Sequence, residues 1–268
     1  MIHSAYADGM RLARMRRMAT QQSRKPAGIL SIDIGGSNVK LLASGETKPR
    51  KFPSGRGLAP AKMVQDAKAA AHGWQYSAVS IGYPGRVGAH GPLSEPGNLG
   101  AGWVGFDFAA AFGCPVRITN DAAMQALGSY DGGRMLFIGL GTGVGSVLIH
   151  HHSLIPLELG ELCYKRGRTL SSRLGKETRK KVGGKKWRER VLDILPSLQR
   201  AFMADYLVLG GGGAKHVGEP LPPNVRLGHN LTAFRGGYRL WGIEDAPTQK
   251  TNGEHAAPAE GAAEWRLL

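Results

Sequence analysis

The sequence predicts an α/β fold, and two observations carry the prediction. Short apolar runs of strand character, punctuated by Gly, alternate with longer stretches of helical spacing. Two Gly-rich strand–turn–strand elements, Asp33–Val39 and Gly139–Ser146, also resemble each other, although no internal repeat copies a whole unit. Strands are expected at Gly28–Asp33, Val39–Ala43, Ala78–Gly82, Val116–Thr119, Arg134–Leu140, Gly145–His150 and Tyr206–Leu209. Helices are expected at Ala61–Ala71, Ala122–Leu127 and Lys185–Phe202. In the last of these, Trp187, Val191, Leu195, Leu198 and Phe202 recur at spacings of about 3.6 residues, which gives one apolar face and one basic face.

A chain of 268 residues, 42% of them hydrophobic, can bury a sizeable core and is expected as one two-lobed unit or two medium domains. Residues 1–27 carry Arg11, Arg14, Arg16, Arg17, Arg24 and Lys25 without the long apolar centre and small-residue cleavage site that export needs. They are expected to be a disordered basic tail. From residue 243 to 268 the composition shifts to Pro, Ala, Glu, Gly and Thr, with almost no large apolar side chain before Trp265, so a second disordered tail is expected. No apolar run reaches the roughly 18 residues a membrane span requires, and no membrane partner is expected. Two cysteines, Cys114 and Cys163, are too few for a disulfide framework and lack the paired spacing of a structural zinc site, so a cytoplasmic location is the expectation.

The net charge of +15 is unevenly placed. Lys165–Arg190 alone holds twelve Lys or Arg against Glu177 and Glu189. A field of that sign concentrates anions such as nucleotides, polyphosphate or nucleic acid, although a solvated basic face has the same composition. Nucleic acid is not the expected partner, because stacking platforms among the charges are limited to Trp187 and Tyr164.

Six segments could carry chemistry. In Ile32–Lys40 a strand ends in Asp33, turns through Gly35, Gly36 and Ser37, and leaves as a second strand towards Lys40. Glycines let backbone N–H groups face an anion, and a neighbouring carboxylate can hold a metal through water. An ordinary hairpin needs the same glycines. Gly139–Ser146 repeats the design with Gly141, Thr142 and Gly143, and two such turns together suggest a clamp on a phosphate chain. Between them, Ile118–Ala123 delivers Asn120 and Asp121 to the start of an Ala-rich helix. A lone Asp there reads as a helix N-cap. Between two phosphate turns, it is placed to accept a proton from an attacking hydroxyl.

Tyr83-Pro84-Gly85 and the Glu95–Trp103 loop offer Asn98 as a two-way hydrogen-bonding group and Trp103 as a cover for a ring, although Gly and Pro in such a loop serve equally as scaffold. Glu158 and Glu161 are two acids three apart that could face one pocket or simply the solvent. Finally, Leu207–Ala214 is a strand running into Gly210, Gly211, Gly212 and Gly213, where a base or ribose could approach closely.

In this order, the six segments resemble the ROK family of bacterial sugar kinases and repressors, and within it the polyphosphate glucokinases and glucomannokinases. The resemblance runs from about Gly28 to Gly242. It implies two actin-like (ribonuclease H-like) ATPase lobes with an interlobe cleft, divided at 28–119 and 120–242. It implies that Asp33, Gly35, Gly36, Ser37 and Lys40 form the first phosphate loop and that Gly141, Thr142 and Gly143 form the second. Asp121 would be the catalytic base, and Asn98, Asn120, Asp121, Glu158 and Glu161 would be sugar ligands. Gly210, Gly211 and Gly212 would border the nucleotide, and Asp33 would bind Mg²⁺.

The implied reaction transfers a phosphoryl group from polyphosphate or ATP to the 6-hydroxyl of glucose or a related hexose, in a homodimer. The chain departs from the family at Glu161, where His is usual, and at Cys163, where a sugar-binding Glu often stands. Neither the His nor the downstream Cys cluster of the zinc-binding members is present, so no zinc is expected. These departures leave the hexose open and keep a catalytically weak sugar-binding sensor as the alternative. A repressor of this family would carry a helix-turn-helix module that 27 residues are too few to form.

Overall fold

The computed structural model describes residues 26–229, 231–243 and 265–267. The described residues begin with the antiparallel strands β1 (Ile29–Ile34), β2 (Asn38–Ala43) and β3 (Arg50–Pro53), then α1 (Pro60–Ala70) and β4 (Ala78–Tyr83). A two-residue hairpin of β5 (Val87–Gly88) and β6 (Gly91–Pro92) precedes α2 (Phe108–Phe112) and β7 (Val116–Asn120). The sheet runs β3-β2-β1-β4-β7, with β4 parallel to β1 and β7 parallel to β4. β1 and β4 are apolar over nearly their whole length because both faces are covered, the usual reason such strands do not alternate.

After α3 (Asp121–Ser129) the pattern is made again. β8 (Arg134–Leu140), β9 (Val144–His150) and β10 (Ser153–Leu157) are antiparallel neighbours. The chain continues through α4 (Leu170–Leu174), α5 (Lys176–Val182) and α6 (Gly184–Ala201) into β11 (Tyr206–Gly210), α7 (Gly211–Ala214), β12 (Val225–Leu227) and α8 (Thr232–Arg239). β11 is parallel to β8, and β12 is parallel to β11. The order β10-β9-β8-β11-β12 therefore reproduces β3-β2-β1-β4-β7 in sequence and direction. The two halves thus repeat a topology, as two lobes of one kind should, without a repeat of sequence. What repeats is strand order and orientation, which side-chain identity need not preserve.

Every strand and helix expected from the sequence forms, with ends shifted by a residue or two. In α6 the expected face is buried through Trp187, Val191, Leu195 and Leu198, joined by Ile194, while Phe202 is partly exposed. Trp187 is 1% exposed and donates its indole N–H to the Leu174 carbonyl at 2.8 Å, so it is core and not a stacking platform. By contrast α5 buries none of its residues.

α3 and α8 lie between the two sheets, α8 against β1 and β4 and α3 against β9 and β11. They cross where Gly128 faces Thr232 and Gly236 faces Met124. A Cβ on Gly128 would stand 1.7 Å from the Thr232 oxygen, and one on Gly236 would stand 1.8 Å from the Met124 oxygen. Although α8 falls within 120–242, its Phe234 and Tyr238 belong to the core of the first sheet. The Tyr238 hydroxyl donates to Leu42 O at 3.1 Å, and Ser80 Oγ donates to Gly237 O at 2.6 Å. The last helix thus ties the halves together. Buried Arg239 donates to the carbonyls of Leu127 at 2.7 Å and Tyr130 at 2.6 Å, at the C-terminal end of α3, where a cation also meets the negative end of the helix dipole.

Within the stretch 243–268, expected as a disordered tail, β13 (Arg266–Leu267) pairs parallel to β10, and Trp265 packs against Tyr130 with ring centroids 5.5 Å apart. One partly buried aromatic and one edge to pair with are enough to order so short a segment. The rest of that expectation, like residues 1–25 of the N-terminal one, lies outside the described residues. No helix among the described residues is long and apolar enough to cross a membrane.

Candidate active site

The repeated topology places equivalent parts opposite one another. The turn from β1 to β2 and the turn from β8 to β9 both open onto one cleft of about 870 Å³, between the sheets and at the head of α3. In the first turn the Gly35 N–H donates to Asn38 O at 3.0 Å, and in the second the Gly141 N–H donates to Gly143 O at 3.0 Å. Asp33, Gly35, Gly36, Lys40, Gly141, Thr142 and Gly143 all line the cleft. Ser37 does not: it lies exposed on the outer side of its turn, and its carbonyl accepts from Ser54 N at 3.1 Å.

The second turn rests on α4 and α5. Ser171 Oγ accepts from Val144 N at 3.1 Å, and Lys176 N donates to Gly141 O at 3.0 Å. Gly175 belongs to this support, because a Cβ there would stand 2.4 Å from Thr142 O.

At the head of α3 the structure separates two roles that the sequence left merged. The N-cap is Asn120, whose Oδ1 accepts from Ala122 N at 2.9 Å and Ala123 N at 3.3 Å while its Nδ2 donates to Gly85 O at 3.0 Å. Asn120 lines the cleft while its side chain also caps α3 and braces Gly85. Asp121 is not the cap residue: it stands at the first helical position and takes Ala122 N on Oδ1, at 2.8 Å.

Burial above all, with the Asp33 carboxylate adding to it, raises the Asp121 carboxyl from 3.8 to about 7 against the opposing pull of the N–H groups of Ala122 and Asp121. Burial likewise raises Asp33 to about 6, opposed by Lys40, its cross-strand partner in the β1–β2 register. Two carboxylates on one cleft floor form a pair with poor access to water. Oxygen donors of this kind suit a hard divalent cation such as Mg²⁺, which would lower the cost of holding both charges. Asp33 fits that role.

On the acceptor side Asn98 lines the cleft and braces the first turn, since a Cβ on Gly36 would stand 2.9 Å from Asn98 Nδ2. Its loop is closed by Glu95, which accepts from Trp103 N at 3.1 Å and Val104 N at 3.2 Å. Trp103 itself is 0% exposed and packs on Tyr83, with centroids 5.5 Å apart, so it is a core residue and does not cover a ligand ring. Glu158 lines the cleft at the mouth of a single 3-10 turn, Leu159–Glu161. That turn carries Glu161 onto the exposed surface away from the cleft lining, correcting the expectation of two acids in one pocket.

Gly210, Gly211 and Gly212 line the far end. Gly211 has φ +74°, and a Cβ there would stand 2.6 Å from Leu140 O, so only glycine fits. Sequence reasoning missed Arg86, Gln125, Ser171, His229 and Thr232, which also line the cleft. Single polar residues on helices and loops carry no local signature, although Gln125 shares a helix face with Asp121 by its four-residue spacing.

No family model matches the chain. It is 28% identical over 213 residues to the polyphosphate glucokinase of Mycobacterium tuberculosis, an alignment covering 73% of this chain and 76% of that protein. Among solved structures it is similar to the inorganic polyphosphate/ATP-glucomannokinase of Arthrobacter sp. strain KM, with TM-score 0.68 at 21% identity over 82% of this chain and 100% of that one. It is also similar to a ROK family glucokinase from Streptomyces griseus in complex with glucose and AMPPNP, with TM-score 0.57 at 15% identity over 78% and 97% of the two chains. The fold is the two-lobed, actin-like α/β fold of these kinases. The chain is thus similar in sequence to the polyphosphate glucokinases and in fold to ROK family sugar kinases.

Proposed function

We propose that the protein is a sugar kinase that transfers a phosphoryl group from polyphosphate or ATP to the 6-hydroxyl of glucose or a related hexose. The observation that carries the reading is Asp121. It is a carboxylate freed from helix capping, raised to about 7, and set on the floor of a cleft between two glycine turns. A base whose affinity for protons lies near neutrality suits the removal of a proton from a hydroxyl as it attacks. Asp121 accepts the proton of the 6-hydroxyl, and the hydroxyl oxygen attacks the terminal phosphorus of the donor. Backbone N–H groups of the two turns other than those of Gly35 and Gly141, which are committed to Asn38 O and Gly143 O, hold the phosphate oxygens. Asn98 and Glu158 orient the sugar. A Mg²⁺ ion at Asp33 would supply charge neutralisation on the leaving phosphate. The names of the relatives, polyphosphate glucokinase and polyphosphate/ATP-glucomannokinase, support the substrate class.

The surface beside the second glycine turn supports a long anionic donor. Lys176 begins α5 at Gly141, and further along Arg179 and Lys215 flank His216, whose imidazole is held below its ordinary value by partial desolvation and by these two cations. Other charges of the segment are structural: Lys165 pairs with Asp193, and Arg188 donates to the carbonyls of Val217 and Pro220.

The test is a product assay with glucose, mannose and N-acetylglucosamine, each offered ATP or long-chain polyphosphate, for the wild type and Asp121→Ala. Sugar phosphate made by the wild type and lost in the variant is the expected result; no product from any pair overturns the reading. For the donor surface, the combined variant Lys176→Glu, Arg179→Glu should raise the Michaelis constant for polyphosphate and weaken its salt dependence. An unchanged constant would remove that surface from the donor path.

A further inference from the structure

The helix that carries Asp121 also carries Gln125, one turn later on the same face. Gln125 lines the cleft and is half-buried. Its Oε1 accepts the N–H of Gly211 at 3.2 Å, so the side chain spans from the acceptor-side helix to the glycine turn at the far end. The turn has other determinants of its shape besides Gln125. Gly211 is fixed by its left-handed backbone and by its contact with Leu140, and both Gly211 and Gly212 are exposed to the cleft.

An exposed N–H on a glycine turn is a group that a ribose or phosphate oxygen of a nucleotide can use. Here that N–H is already taken, and by a carbonyl oxygen whose partial negative charge opposes a phosphate at the same place. A polyphosphate chain that follows the Gly141–Gly143 turn towards Lys176 has no need of Gly211.

We propose that Gln125 is a specificity-determining residue that disfavours nucleoside triphosphate relative to polyphosphate by occupying the Gly211 N–H. The inference rests on the reading of the cleft as a phosphoryl-donor site. A nucleotide that binds must give up or displace one hydrogen bond, which costs about fivefold in affinity.

The experiment compares Gln125→Ala and Gln125→Glu with the wild type, measuring KM for ATP and for polyphosphate and the dissociation constant of a non-hydrolysable ATP analogue. Thermal midpoints establish that each variant is folded. The expected order of ATP KM is Ala below Gln below Glu, with Ala about fivefold below wild type and its polyphosphate KM within twofold of wild type. The analogue should follow the same order. The glutamate keeps the acceptor and adds a charge, so it exaggerates the effect. A rise in ATP KM for Gln125→Ala would make the residue a brace for the turn and overturn the proposal, as would an unchanged ratio of the two donors. If the wild type makes no sugar phosphate with either donor, the kinase reading fails. The order of analogue affinities then still decides the role of Gln125.

Discussion

Asp121→Asn is expected to abolish phosphoryl transfer and at the same time to stabilise the folded protein above neutral pH. The asparagine keeps an oxygen for Ala122 N, and the cap at Asn120 is untouched, so the fold loses no hydrogen bond that the aspartate made. It loses a charge that the cleft disfavours. The carboxyl moves from 3.8 to about 7 on folding, which at about 1.36 kcal/mol per pH unit amounts to at most about 4 kcal/mol. The side chain keeps some solvent contact, so about 2 kcal/mol is the expected gain.

Because the folded-state value is the higher one, the native protein holds the proton more tightly than the unfolded chain. The stability this contributes is full below about pH 4 and is lost as pH rises through about 7. Urea unfolding of both proteins at pH 4, 6 and 8 should therefore show near-equality at pH 4 and a gap opening in favour of the asparagine variant. In the same wild type, kcat/KM should rise with pH up to about 7 as Asp121 becomes the free base. A stability difference that does not change with pH, or a variant less stable at pH 8, would refute the assignment of a desolvated base.

Three further outcomes follow from the packing. Gly128→Ala places a methyl 1.7 Å from the Thr232 oxygen at the α3–α8 crossing and should destabilise by about 3 kcal/mol or more, read as loss of soluble expression or a collapse of the urea midpoint. Arg239→Met removes the cation that satisfies the Leu127 and Tyr130 carbonyls and should cost about 3 kcal/mol in chemical denaturation, without altering the sugar KM of the remaining folded protein. Glu158→Gln should raise the sugar KM about tenfold, whereas Glu161→Gln should change it by less than about twofold; equal effects would contradict their placement.

The expected strands and helices were legible because each carries its own signal: β1 is a mainly apolar run with an acid near its end before a Gly-Gly turn, β8 holds a continuous apolar run closed by glycine, and α6 shows a heavy apolar face. The missed elements lack such signals. β3 is Arg-Lys-Phe-Pro on a sheet edge, β10 contains Pro156, and α5 buries nothing. α8, with two glycines in eight residues, looks like a poor helix until one sees that those glycines admit α3 and the first sheet at close range.

The glycine turns and Asp121, which the structure brings to one cleft, could be picked out because glycine-rich turns and a strand-ending Asn-Asp pair have unusual local composition. Glu161 and Trp103 do not line the cleft, because a residue type states what a side chain can do and not where it points.

The sequence by itself determined the α/β class, the two phosphate-type turns and the candidate base, since these depend on local backbone demands and on short-range apolar periodicity. Only the tertiary structure decided that one half repeats the topology of the other. It also decided that α8 returns to bind the first sheet, that Asn120 takes the cap and leaves Asp121 free, and that Gln125 reaches Gly211. Each of these is a contact between segments far apart in the chain or a choice between adjacent side chains. Such choices are settled by packing and desolvation, which no local stretch of sequence contains.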